Sequence, residues 1–142
     1  MSTSLLPAQT RSSGETRALG ARMATQFRPG TVLALLGDLG AGKTELVRGL
    51  VEGLGGPADE VTSPTFTIAQ EYRVEGGVLL HVDAYRVEDP AEFVEMGLED
   101  FMEAAFLVAV EWPSRLGPLL PTDAVSIRIS HQADGSRLIT QA

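Results

Sequence analysis

A chain of 142 residues with 44% hydrophobic and 21% charged side chains has room for one buried core and reads as a single globular domain. It has no cysteine and only two histidines, which excludes disulfides and thiolate metal sites and argues against structural zinc. A net charge of −8 opposes direct binding to RNA or DNA phosphates, so a nucleic-acid role would run through a partner.

Met1 to Ser13 shows neither the basic start nor the apolar block of a signal peptide, and no apolar stretch approaches the roughly 20 residues of a membrane span. A disordered lead-in over residues 1–13, a domain over 14–142 and a cytoplasmic location are therefore expected. Leu19, Met23 and Phe27 at four-residue spacing predict an amphipathic helix over Glu15 to Phe27, with Ser13 as its cap and Arg28-Pro29-Gly30 as its break. Thr31 to Leu36 is a continuous apolar run, the pattern of a strand buried on both faces. A glycine loop follows. Leu46, Val47, Leu50, Val51 and Leu54 then mark one face of a second helix, ended by Gly55-Gly56-Pro57.

Thr65 to Val74 and Val78 to Val82 predict two strands joined at Gly76-Gly77 as an antiparallel hairpin. Asp89-Pro90-Ala91-Glu92 has the form of a capped helix start leading towards Met96, with Gly97 separating a further helical piece over Leu98 to Met102. Phe106 to Val110 reads as another buried strand. After a Pro-rich turn, Val125, Ile127 and Ile129 alternate, and Arg137 to Thr140 pairs back across Asp134-Gly135. The order predicts one α/β domain with a mixed parallel and antiparallel sheet and flanking helices, and the loop Gly37-Asp38-Leu39-Gly40-Ala41-Gly42-Lys43-Thr44 after its first buried strand makes it P-loop NTPase-like.

Gly37-Asp38-Leu39-Gly40-Ala41-Gly42-Lys43-Thr44 matches the pattern G-x-x-x-x-G-K-[ST]. Glycines let successive backbone N–H groups, including that of Glu45, turn towards one phosphate chain, and the following helix presents its positive end to the same anion. Lys43 supplies charge to the β- and γ-phosphates, and the Thr44 hydroxyl can ligate Mg²⁺. Lys43 is also the only lysine in the chain, all other positive side chains being arginines. Asp83 closes the run Val78 to Val82, and Glu111 repeats the pattern after Phe106 to Val110. Both are candidates for holding Mg²⁺ and for positioning water, and the sequence does not divide these roles.

Ser63-Pro64-Thr65-Phe66-Thr67 reads equally as a switch segment, with Thr65 reaching the γ-phosphate and metal, or as an ordinary turn. Trp112, the only tryptophan, can stack on a base, cover the site, dock a partner or simply edge the core. His81 reads as a core histidine before a catalyst. No guanine-reading N/T-K-x-D follows the third apolar strand, where Glu111-Trp112-Pro113-Ser114 stands, which favours ATP. With no obvious arginine finger, hydrolysis by the chain alone is expected to be slow.

Together GDLGAGKT, SPTFT, HVDAYR, Glu95-Met96-Gly97 and VEWP resemble the bacterial TsaE family, also called the YjeE ATPases, over roughly Glu15 to Ser130. The resemblance implies an ATPase that assists formation of threonylcarbamoyladenosine in tRNA by docking on the TsaB–TsaD pair, in which TsaD performs the transfer. It assigns Lys43 and Thr44 to phosphate and Mg²⁺, Thr65 to the switch segment, Asp83 and Glu111 to metal and catalysis, and Trp112 to the nucleotide or partner face. The chain departs from the family at Glu45, where a second threonine is usual, and at His81-Val82-Asp83-Ala84, where the family commonly has H-F-D-L. Two other functions use the same loop: a small-molecule kinase, for which there is no room for a substrate domain between Thr44 and Pro113, and a nucleotide-gated binding module.

Overall fold

The computed structural model describes residues 4–38, 40–64 and 68–142. Seven strands among them form one sheet in the order β1-β7-β6-β2-β5-β4-β3. These are β1 (Ala8–Thr10), β2 (Thr31–Leu36), β3 (Ala69–Val74), β4 (Gly77–Asp83), β5 (Leu107–Glu111), β6 (Val125–His131) and β7 (Arg137–Gln141). The central strands β6, β2, β5 and β4 run parallel, while antiparallel pairs close the two margins. The mixed α/β sheet expected from the sequence is the one observed.

Helices α1 (Ser13–Ala24) and α2 (Lys43–Gly53) cover one face, and α3 (Pro90–Glu95) and α4 (Leu98–Ala104) the other, with a 3-10 segment at Pro113–Leu119 beside α3. Period-two alternation divides each central strand between the two cores. Leu33 and Leu35 of β2 join Leu107 and Ala109 of β5 under α1 and α2. Val32, Val108 and Val110 join Phe93 and Met102 on the opposite face. Burial on both sides is what makes these strands continuous apolar runs.

The N-terminal expectation is corrected. Within the segment read as a disordered lead-in, Ala8–Thr10 pairs with Arg137–Ile139 as an edge strand. The first helix starts at Ser13 and is capped by Ser12, whose hydroxyl accepts from the N–H of Glu15 at 3.1 Å. It ends at Ala24, so Phe27 reaches the core from the following turn. The third strand begins only at Ala69, because Ile68 has φ of 65° and cannot continue an extended ladder.

Close backbone approach fixes α1 on α2. A Cβ on Gly49 would lie 2.1 Å from the carbonyl oxygen of Arg17, and one on Gly53 2.2 Å from that of Ala21. The helices therefore meet through glycine. This sets where the head of α2 stands relative to the sheet.

Candidate functional site

The chain leaves β2 towards β3 and β4 on one side of the sheet and leaves β5 towards β6 on the other, so the neighbouring strands β2 and β5 are connected in opposite directions. A crevice opens at the carboxyl ends of parallel strands at such a point. Here it is a cleft of about 550 Å³ whose walls include Gly42, Lys43, Thr44, Asp83, Glu111 and Trp112. Gly40, Glu45, Ser63, Tyr85 and Ser13 complete its rim. Of the residues singled out in the sequence, Leu39 and Thr65 lie outside the described residues. Asp38 and Ala41 belong to the loop but not to the cleft wall.

The loop turns on glycine where side chains would not fit. Gly42 has φ of 109°, and a Cβ there would meet the Arg137 side chain at 3.2 Å. As the residue before α2, Gly42 gives the helix no side-chain cap, so the head of α2 presents donors to the cleft. The loop carbonyls are held on the outside by the β6–β7 hairpin. Arg137 donates from Nε to the oxygen of Ala41 at 2.7 Å and from a terminal nitrogen to that of Gly40 at 3.4 Å. His131 Nε2 donates to the same Gly40 oxygen at 2.9 Å. No sequence signal marks this clamp, because the two partners are about ninety residues apart.

Lys43 is 4% exposed. Its ammonium donates to the oxygen of Gly37 at 2.6 Å and lies 4.2 Å from the centre of the Trp112 ring. Burial lowers its pKa below the usual lysine value, and the negative charges of Glu111, Asp83 and Asp38 only partly oppose this. Trp112 reaches the ammonium from a left-handed backbone conformation, φ 57°, and packs against Tyr85 at 5.1 Å between ring centres.

Asp83 and Glu111 are register partners at the ends of β4 and β5. They belong to the alternation that places Leu79 and Ala109 under α1 and α2, so both carboxylates face the side where α2 begins. Asp83 accepts from the Ser63 hydroxyl at 3.1 Å and from the N–H of Tyr85 at 3.0 Å. Glu111 is 4% exposed, and its Oε2 is 2.5 Å from Nε2 of the fully buried His81. Among the described residues, the other ring nitrogen of His81, Nδ1, is buried without a hydrogen-bond partner. His81 is thus a core histidine, as expected, and also the residue that holds Glu111. The H-x-D spacing carried half of that signal, the face that His81 shares with Asp83, because alternate residues of one strand share a face.

Glu45 forms an ion pair with Arg48, which also donates to the oxygen of Val61 at 2.7 Å. Its negative charge at the cleft is therefore partly balanced from within α2. Among the described residues, no three His, Asp or Glu side chains gather as a metal cage. A cation here would take a carboxylate or two, a hydroxyl and ligand oxygens, the donor set that Mg²⁺ accepts beside phosphates. No helix among the described residues is long and apolar enough to cross a membrane.

Residues 10–139 match the family model of the Threonylcarbamoyl adenosine biosynthesis protein TsaE. The chain belongs to the TsaE family. Among curated TsaE relatives, each named tRNA threonylcarbamoyladenosine biosynthesis protein TsaE, that of Bacillus subtilis is 41% identical over 126 residues, which is 89% of this chain and 78% of the relative. That of Treponema pallidum is 36% identical over 94% of this chain and 97% of its own length. The Haemophilus influenzae TsaE is 36% identical over 73% of this chain and 65% of its own length. The fold also matches the crystal structure of Bacillus subtilus YdiB with a TM-score of 0.76 at 36% identity, covering 96% of this chain and 83% of that one.

Proposed function

We propose that this TsaE-family chain is an ATP-binding and ATP-hydrolysing subunit that supports formation of threonylcarbamoyladenosine in tRNA through the TsaB–TsaD pair. A role in tRNA threonylcarbamoyladenosine biosynthesis comes with the family. For the nucleotide chemistry, one observation carries the reading: the buried ammonium of Lys43, at the uncapped head of α2, shares a cleft with the register-paired acids Asp83 and Glu111.

In this P-loop reading the glycine-loop amides and the head of α2 bind the β- and γ-phosphates, and Lys43 exchanges the face of Trp112 for phosphate oxygen. Thr44 and Asp83 would hold Mg²⁺, which neutralises charge on the phosphates when bound. Glu111, fixed by His81, positions the attacking water and takes its proton. Asp83 is suited to the metal side because Ser63 and Tyr85 fix both of its oxygens. Trp112 and Tyr85 form an aromatic wall for the nucleotide or a partner.

The elements described between Thr44 and Pro113 are strands of the one sheet, the helices that cover it and a single 3-10 turn, with no separate substrate domain as a small-molecule kinase would need. The reading is tested by reconstituting tRNA modification with tRNA, an activated threonylcarbamoyl donor, TsaB, TsaD, ATP and this chain. Repeated turnover that needs both ATP and the chain is expected. Turnover that proceeds equally with Lys43→Ala would contradict it.

A further inference from the structure

Between Arg86 and Arg115 the chain has no positively charged side chain, and seven acids fall within residues 88–103. This stretch contains α3 and α4. Among the acids stand Val94, Met96 and Phe101, which are 45%, 50% and 45% exposed. Val94 and Met96 stand two positions apart and so on different sides of α3, whereas Phe101 borders a groove. The helices themselves are anchored, with Phe93 fully buried beneath α3 and Met102 beneath α4. Beside Phe101, a groove of about 410 Å³ runs between Leu98 and the edge strand β3.

The charge selects the occupant. A polynucleotide or an anionic membrane would be repelled by seven carboxylates with no cation among them. A second copy offering the same face would set like charges against each other. What complements the face is a protein surface with an apolar centre and a rim of arginine and lysine. We propose that the α3–α4 face docks a partner protein of that chemistry.

The face is connected to the cleft from both acids. Six residues, 84–89, link Asp83 to the start of α3. The 3-10 segment that begins directly after Glu111 and Trp112 packs on α3, with Gly117 against Pro90. A partner that shifts α3 therefore bears on both carboxylates at once. The assignment rests on the reading above that the chain works through a partner pair, and it names the surface of that contact.

The test measures binding of the TsaB–TsaD pair to the wild-type chain, to Phe101→Ser and to the double variant Glu99→Arg/Asp100→Arg, by calorimetry and at several salt concentrations. Removing the aromatic anchor is expected to weaken binding at least about 10-fold. Reversing the two charges is expected to weaken binding most at low salt and so to flatten its salt dependence. ATP affinity of each variant alone stays at the wild-type value, which separates loss of docking from loss of fold. Equal binding by all three chains overturns this face while leaving the partner reading in place. If the wild-type chain does not bind the pair, the partner reading falls and this face with it. Self-association of the wild type that is lost in Phe101→Ser would overturn it in favour of a second copy.

Discussion

Asp83 and Glu111 stand opposite each other in register across parallel strands, yet they are held by different partners. Asp83 takes a hydroxyl and a backbone N–H at the cleft rim, whereas Glu111 is tied to a buried imidazole. The two acids that composition and position made equivalent are thereby separated.

The His81–Glu111 contact predicts a separable effect on chemistry. His81→Ala should lower the single-turnover rate of ATP hydrolysis by about 10-fold or more, the scale of a misplaced general base. Nucleotide affinity should stay the same, because His81 reaches the cleft only through Glu111 and is not itself part of its lining. An amide can replace the Nε2 donor, so His81→Gln should recover part of the rate. A change in ATP affinity with an unchanged rate would assign His81 to packing alone.

The lowered pKa of Lys43 gives ATP binding an alkaline dependence. Phosphate favours the charged lysine, so binding raises the pKa again and takes up a proton where the free protein has lost it. Affinity should fall as pH rises through the depressed value, starting below the ordinary 10.5. Folding without ligand has the opposite sign. Between the depressed value and 10.5 the unfolded chain binds more protons, so stability from this group rises with pH. Titrating ATP at pH values from neutral to alkaline, with Trp112 fluorescence as the signal, checks the first. Denaturant unfolding over the same range checks the second.

What could be read in the sequence was what is local or periodic. The strand, loop and helix around Lys43, the hairpin of β3 and β4, and both acids at strand ends follow from apolar runs and glycine spacing. Ala8–Thr10 could not be read this way. It is three residues long, and its pairing with β7 is a contact across nearly the whole chain. Arg137 and His131 were illegible for the same reason. The role of His81 was half legible, since its shared face with Asp83 follows from alternation, but its proximity to Glu111 needs the order of the strands.

Arg137 should act on nucleotide binding without touching the nucleotide. Its two hydrogen bonds to the oxygens of Ala41 and Gly40 hold the loop carbonyls outward. Losing a charged donor costs about 1.5–3 kcal/mol, so Arg137→Ala should weaken ATP binding roughly 10- to 100-fold. Calorimetric titration of the variant measures this, and unchanged affinity would show that the loop holds itself.

Gly49→Ala should destabilise the fold although alanine is the better helix former. Its Cβ would sit 2.1 Å from the oxygen of Arg17, so α1 and α2 must separate. Overpacking of this kind costs about 1–3 kcal/mol, more than the roughly 1 kcal/mol gained in helix propensity. Urea unfolding measures the difference, and a stabilised variant would show that the helices meet less closely.

The central claim is partner-stimulated ATP hydrolysis in the cleft of Lys43, Asp83 and Glu111. Steady-state ATP hydrolysis, measured for the chain alone and with the TsaB–TsaD pair, beside Lys43→Ala and Glu111→Ala, tests it most directly. Slow hydrolysis alone, clear stimulation by the pair, and loss in both variants is the expected result. A rate that the pair leaves unchanged, or one that survives in both variants, would contradict it.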